Sequence, residues 1–162
     1  MPKFAANLTM LFNDVPFLDR FEAAARAGFS AVEYLFPYDF DAADLAGRLR
    51  QHGLTQVLHN LPAGNWGAGE RGIACHPDRV DEFKDGIARA ITYARALNCP
   101  QVNCLAGIVP ASVTASAAHA TFVSNLQFAA AQLGEAGIRL VIEAINTRDI
   151  PGFFLTTTKQ AL

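Results

Sequence analysis

The sequence predicts a β/α barrel, of which this 162-residue chain forms the front part: about five strands and four complete helices. Three observations predict it. One unit recurs, an amphipathic helix ending on Gly or Asn and followed by a short β-rich apolar run. Each run is apolar throughout, as suits a parallel strand covered on both faces. The chain also stops inside a helical pattern, with neither a cap nor a polar tail. We therefore expect a single, incomplete barrel domain over 1–162, although the pattern alone also fits a five-stranded doubly wound sheet.

The elements follow in order. A first strand is placed at 3–8 and a helix at 16–27, which Gly28 stops. The run AVEYLF supplies a strand at 31–36. Asp41 suits the N-cap of a helix over 42–52, with Phe40 and Leu45 spaced as a hydrophobic staple. Gly53 ends that helix and a strand follows at 54–61. A long loop then leads to a helix at 78–97, whose Phe83, Ile87, Ala90, Ala94 and Leu97 share one face. After Asn98 comes a strand at 100–105. A helix at 115–136 carries Phe122, Leu126, Ala129 and Leu133 on one face. Gly137 stops it, a strand runs over 139–145, and a further helix begins near Thr157. The four stops fall where a helix closes on a left-handed residue, which Gly tolerates and Asn sometimes accepts. A long helix between short buried strands requires parallel pairing and crossover connections.

Composition excludes several function classes. The chain is 51% hydrophobic and 17% charged, with mean hydropathy +0.18, which is ample for a core. A net charge of −2 gives no electrostatic footprint for nucleic acid or an anionic membrane. Cys75, Cys99 and Cys104 form no C-x-x-C pair, so neither a disulfide framework nor a zinc ribbon is expected. Residues 1–12 lack a signal-peptide pattern, and no apolar run approaches about 18 residues. A cytoplasmic setting is expected.

Function should sit where strands end and lead into helices. Glu143 interrupts Leu140-Val141-Ile142 near the end of an apolar strand, where a carboxylate is costly unless paired or metal-bound. It reads as a metal ligand, a proton-transfer carboxylate, or both; the plain alternative is a salt bridge across the barrel mouth. The loop 62–77 contains Gly67-Ala68-Gly69-Glu70-Arg71-Gly72, a literal G-x-G-x-x-G. No helix opens at its last glycine and no acid ends a second strand about 20 residues on, so a dinucleotide site is rejected. It reads instead as a glycine-rich segment that closes over a substrate, with Arg71 either clamping a carboxylate or standing as a surface arginine, paired with Glu70 or solvated. His59 and Asn60 end the third strand, placed to hydrogen-bond substrate oxygens or, for His59, to shuttle a proton. A histidine sealed in the barrel wall is the alternative.

Several long segments, in order, resemble one family. FAANLTMLF at 4–12, FEAAARAGFSAVEYLFPYDF at 21–40, LHNLPAGNWGAGERGIACHP at 58–77, YARALNCPQVNCLAG at 93–107 and IEAINTRDIPGFFLTTTKQAL at 142–162 closely resemble the hydroxypyruvate isomerases. These belong to the xylose-isomerase-like barrels. The sister 2-oxo-tetronate isomerases share much of the pattern, and GERGIAC at 69–75 favours the hydroxypyruvate branch. The resemblance implies interconversion of hydroxypyruvate and tartronate semialdehyde through an enediol, as in glyoxylate metabolism. It implies a divalent metal, Mg²⁺ or Mn²⁺, no nucleotide cofactor, and a small hydroxy-keto acid as substrate. It also implies that Glu143 is both metal ligand and proton carrier, while a second catalytic glutamate and other ligands lie on strands six to eight. Ala144 replaces a common proline, and Thr147 and Arg148 stand where some members have a histidine and an aromatic. Those departures bear on loop geometry. The competing expectation is a non-catalytic truncated fragment, whose open strand edges favour self-association into a homo-oligomer.

Overall fold

The computed structural model describes residues 2–162 and contains five parallel strands in the order β1-β2-β3-β4-β5. They are β1 (Ala6–Asn7), β2 (Ala31–Glu33), β3 (Thr55–Asn60), β4 (Gln101–Cys104) and β5 (Arg139–Ile142). The helices are α1 (Arg20–Arg26), α2 (Ala42–His52), α3 (Val80–Leu97), α4 (Ala115–Glu135) and the short α5 (Thr158–Ala161). Sequential strands pair throughout, each connection carrying a helix, which is the β/α-barrel arrangement. Among the described residues, no helix is long and apolar enough to cross a membrane.

Helix boundaries follow the expected chemistry. Asp41 caps α2, its carboxylate accepting from the amides of Ala43 and Asp44. Thr114 caps α4 through the amide of Ala117, and Thr157 caps α5 through that of Gln160. The four anticipated stops, Gly28, Gly53, Asn98 and Gly137, all have positive φ. The first and third long helices start later than expected, because 3-10 turns occupy Phe17–Asp19 and Pro77–Arg79. Phe40 stacks on Phe17, 4.8 Å between ring centroids, and so helps dock the start of α2 against the α1 segment.

The strands are shorter than the apolar runs that announce them. Paired backbone covers only 6–7 of the expected 3–8, 31–33 of 31–36 and 139–142 of 139–145. Apolar character marks burial, and burial extends into the loops: Tyr34 and Leu8 are fully sealed outside any strand.

Alternation along the strands divides the residues between two faces. Ala6, Val32, Val102 and Cys104 lie on the face covered by helices and are buried. There they share one core with Phe21 and Ala24 of α1, Leu45 and Leu49 of α2, Ile87 and Ala90 of α3, and Phe122 and Leu133 of α4. The opposite face is the inner, or luminal, one. Register makes Asn7 the neighbour of Glu33, Asn60 of Asn103, and Asn103 of Val141 on that face. Between β2 and β3 the register shifts at Val32/Glu33, so that Val57 is skipped and Glu33 pairs with Leu58.

Candidate functional site

The inner face ends in a row of polar side chains where β1 to β4 give way to their loops. Asn7 Nδ2 donates to Glu33 Oε1 at 3.0 Å, while Asn7 Oδ1 accepts from the amide of Thr9. Thr9 Oγ1 in turn accepts from the amide of Leu35, so the ends of β1 and β2 are laced together by side chains. On the next pair of strands, Asn103 Nδ2 donates to Asn60 Oδ1 at 3.0 Å. Asn60 is further fixed by its carbonyl, which accepts from the Tyr38 hydroxyl at 2.6 Å. Asn103 Oδ1 is buried without a partner. Asn60 therefore does stand on the luminal face, in the end-of-strand position expected of a binding residue.

His59 does not join it. It occupies the helix-facing side of β3, only 1% exposed, edge-on to the Tyr38 ring at 6.1 Å between centroids. Burial pushes its imidazole down to about 4, and the Ala90 backbone only partly opposes this. Neither ring nitrogen has a partner at bonding distance. His59 thus takes the alternative position, sealed in the barrel wall: adjacent residues on a strand face opposite ways, and Asn60 takes the luminal side.

Glu143 also differs from its expected setting. It follows β5 instead of lying within it, and its side chain is exposed, so no burial cost singles it out. The alternation carried past Ile142 places it on the same side as Val141 and Asn103. The side-chain ion pairs among the described residues are Arg79 with Glu70 and Arg79 with Glu82, and neither involves Glu143. Nearby Asn146 turns inward on its own loop, accepting from the amides of Arg148 and Asp149.

Arg71 is half-buried, with its guanidinium 4.1 Å from the centroid of the Trp66 ring. Its Nη1 donates to the carbonyls of Trp66 and Glu70. The Glu70 carboxylate goes elsewhere: desolvation raises it, but the Asn65 amide and Arg79 together outweigh that and hold it below the usual carboxylate range. The alternative of an Arg71–Glu70 ion pair is therefore not seen among the described residues, and Arg71 lies over the Trp66 ring.

The segment 62–77 is braced more firmly than a closing loop would be. Gly72 donates to the Ala63 carbonyl, Cys75 to that of Ala106, and Asn125 of α4 donates to Ala74. His76 Nε2 bonds the Ile108 carbonyl at 2.8 Å. Gly72, at φ 111°, lies so close to Leu105 and Gly107 that a Cβ there would overlap the Leu105 carbonyl. The chain after β4 is bound in its turn to the chain after β5, through the bridge Ile108–Phe153 and the bond from Phe154 to Gly107. The three loops form one continuous rim. The G-x-G-x-x-G run makes a 3-10 turn at Trp66–Ala68, and no helix opens at its last glycine.

Two further groups bear on chemistry. All three cysteines are buried; desolvation raises Cys75 and Cys99 to about 11 and Cys104 to about 12, leaving no activated thiol. Among the described residues, no three His, Cys, Asp or Glu side chains are grouped to hold a metal ion. These residues do not compose a metal centre by themselves; Glu143 would be a single ligand. Glu33 was missed at the level of sequence. The signal was present, since it interrupts an apolar run near a strand end just as Glu143 does.

Comparison with known proteins places this geometry. Residues 21–162 match the family model described as a xylose isomerase-like TIM barrel. Hydroxypyruvate isomerase of Escherichia coli K12 is 55% identical over 162 residues, 100% of this chain and 63% of that protein. A 2-oxo-tetronate isomerase of Pectobacterium atrosepticum is 50% identical over 162 residues, covering 62% of its length. A crystal structure named AP endonuclease, family 2, from Brucella melitensis superposes with TM-score 0.92 at 50% identity, covering 96% of this chain and 60% of that one. The chain thus spans about three-fifths of the length of these relatives.

Proposed function

The chain belongs to the xylose isomerase-like TIM barrel family, and from that premise we propose that it serves an isomerase interconverting hydroxypyruvate and tartronate semialdehyde. The observation that carries this reading is the 55% identity to a hydroxypyruvate isomerase, sustained over all 162 residues. The 2-oxo-tetronate isomerases at 50% and 49% identity support the four-carbon analogue as the second reading, with the same chemistry. A nucleic-acid substrate is disfavoured by the net charge of −2.

In the proposed reaction, Glu143 removes a proton from the hydroxyl-bearing carbon of hydroxypyruvate. The electron pair forms a double bond to the neighbouring carbon and the ketone oxygen takes up a proton, giving an enediol. Glu143 returns the proton to that neighbouring carbon, while the terminal hydroxyl gives up its own proton and becomes the aldehyde. Its exposed position on the inner side suits a group that must meet substrate and carry a proton. Arg71, its guanidinium over the Trp66 ring, takes the substrate carboxylate. Asn60 donates to a substrate oxygen from the β3 end while its own acceptor is engaged by Asn103. No step here runs through Mg²⁺ or Mn²⁺, to which these residues offer a single carboxylate; its other ligands and a second proton-carrying glutamate belong, in this proposal, to strands six to eight of the barrel. The setting proposed is cytoplasmic, within glyoxylate metabolism.

The test is to incubate the full-length gene product with hydroxypyruvate and follow the appearance of tartronate semialdehyde by proton NMR, with the four-carbon substrate in parallel. Turnover of hydroxypyruvate supports the first reading. Turnover of the four-carbon substrate alone supports the second, and turnover of neither overturns both.

A further inference from the structure

We propose that Glu33 is a substrate-contacting specificity residue, whose free carboxylate oxygen accepts a hydrogen bond from the hydroxyl of the hydroxy-keto acid. This rests on the isomerase reading above for the identity of the ligand, and on independent geometry for the site.

Glu33 is the last residue of β2, on the inner face, at the end of the strand from which β/α barrels present their functional groups. It is half-buried, so its carboxylate borders the lumen without being sealed away. One oxygen, Oε1, is held by Asn7 Nδ2 at 3.0 Å. Asn7 is itself fixed through the Thr9 amide, so the carboxylate is braced by a second residue that has no freedom to turn aside. Neither an ion pair nor a further hydrogen bond engages the other oxygen, Oε2, among the described residues. The carboxylate is oriented on one side and open on the other.

An ionised carboxylate is an acceptor only. It suits an O–H donor and repels a second carboxylate. Those two properties together orient a hydroxy-keto acid: the hydroxyl end is drawn to Glu33, and the acid end is turned away from it, leaving it for a cationic side chain such as Arg71. Hydrogen bonds to charged groups are the strong ones, and losing this one should cost roughly 10- to 100-fold in affinity for the hydroxylated ligand.

The experiment compares hydroxypyruvate with pyruvate, which lacks only the hydroxyl, by calorimetric titration of the full-length gene product. The native protein should bind hydroxypyruvate roughly tenfold or more tightly than pyruvate. Glu33→Gln keeps the volume and an acceptor for Asn7, but replaces the free oxygen with a donor and removes the charge. It should lose that preference while binding pyruvate as well as before or better. If Glu33→Gln fails to fold, Glu33→Asp, which withdraws the carboxylate by one carbon, should show the same loss. A preference kept by the variant, equal weakening of both ligands, or no preference in the native protein would each overturn the proposal. Turnover is read separately by NMR: a lost preference without isomerisation sinks the isomerase reading and leaves the Glu33 contact standing.

Discussion

Acidification should destabilise this fold through His59, and the size of the effect follows from where the ring sits. His59 is 1% exposed, enclosed between β3 and α3, with both ring nitrogens unpartnered. Burial lowers its folded-state pKa to about 4, against an ordinary 6.5. Between those values the unfolded chain binds a proton that the folded chain refuses. Stability is therefore complete above pH 6.5 and falls as the pH drops toward 4, below which His59 adds nothing further. Each pH step of one across that window is worth about 1.4 kcal/mol, so the whole loss is about 3 kcal/mol, a sizeable part of the roughly 5–15 kcal/mol that a domain possesses. Glu70, also lowered, adds a loss of the same sign at still lower pH, so a control is required. Urea unfolding followed by circular dichroism, at steps from pH 7.5 to 4.5, would be run on the native chain and on His59→Leu. The variant should show a much flatter dependence over pH 6.5–4.5. Equal slopes would refute the reasoning, as would an imidazole NMR titration near 6.5, which would return His59 to a solvent-reachable position.

Other outcomes follow from the rim and the strand ends. Gly72→Ala should destabilise by about 3 kcal/mol, because it combines an unfavourable left-handed backbone with overlap of the Leu105 carbonyl; a melting temperature unchanged within a degree would contradict the rim packing. Asp41→Ala should cost about 1 kcal/mol through loss of the α2 cap, measurable by urea unfolding, and no loss would mean that the cap is idle. Arg71→Ala should raise the KM for hydroxypyruvate about tenfold with kcat little changed; an unaltered KM would make Arg71 a surface residue that merely lies on Trp66.

How much of this was legible in the sequence differs by scale. Helices and their ends were readable because the signals are local: Asp41 sits next to the amides it caps, and Gly28, Gly53, Asn98 and Gly137 mark backbone that must turn left. Strand ends were overextended because apolar character reports burial, and Leu8 and Tyr34 are buried beyond the paired backbone. Which face a strand residue takes was not legible. In a strand covered on both sides, His59 and Asn60 carry the same burial signal, and the skipped Val57 resets the parity between β2 and β3. Glu33 interrupts its apolar run visibly, but the hydrogen bond that orients it comes from Asn7, 26 residues earlier, which no local pattern announces. The glycines of 62–77 suggest a segment that closes over a substrate, yet Gly72 serves to let two backbones touch, a contact that only the fold reveals.

In the proposed reaction Glu143 carries a proton between adjacent carbons of a hydroxy-keto acid. Proton exchange tests it most directly. The full-length gene product, incubated with hydroxypyruvate in D2O, should wash deuterium into the hydroxymethyl carbon, seen by NMR as loss of that proton signal. Glu143→Gln should slow the wash-in at least 1,000-fold, while in the 162-residue chain, where the side chain is exposed, it should leave unfolding stability within about 0.5 kcal/mol. Deuterium entering the variant at the native rate would remove Glu143 from the chemistry and contradict the account.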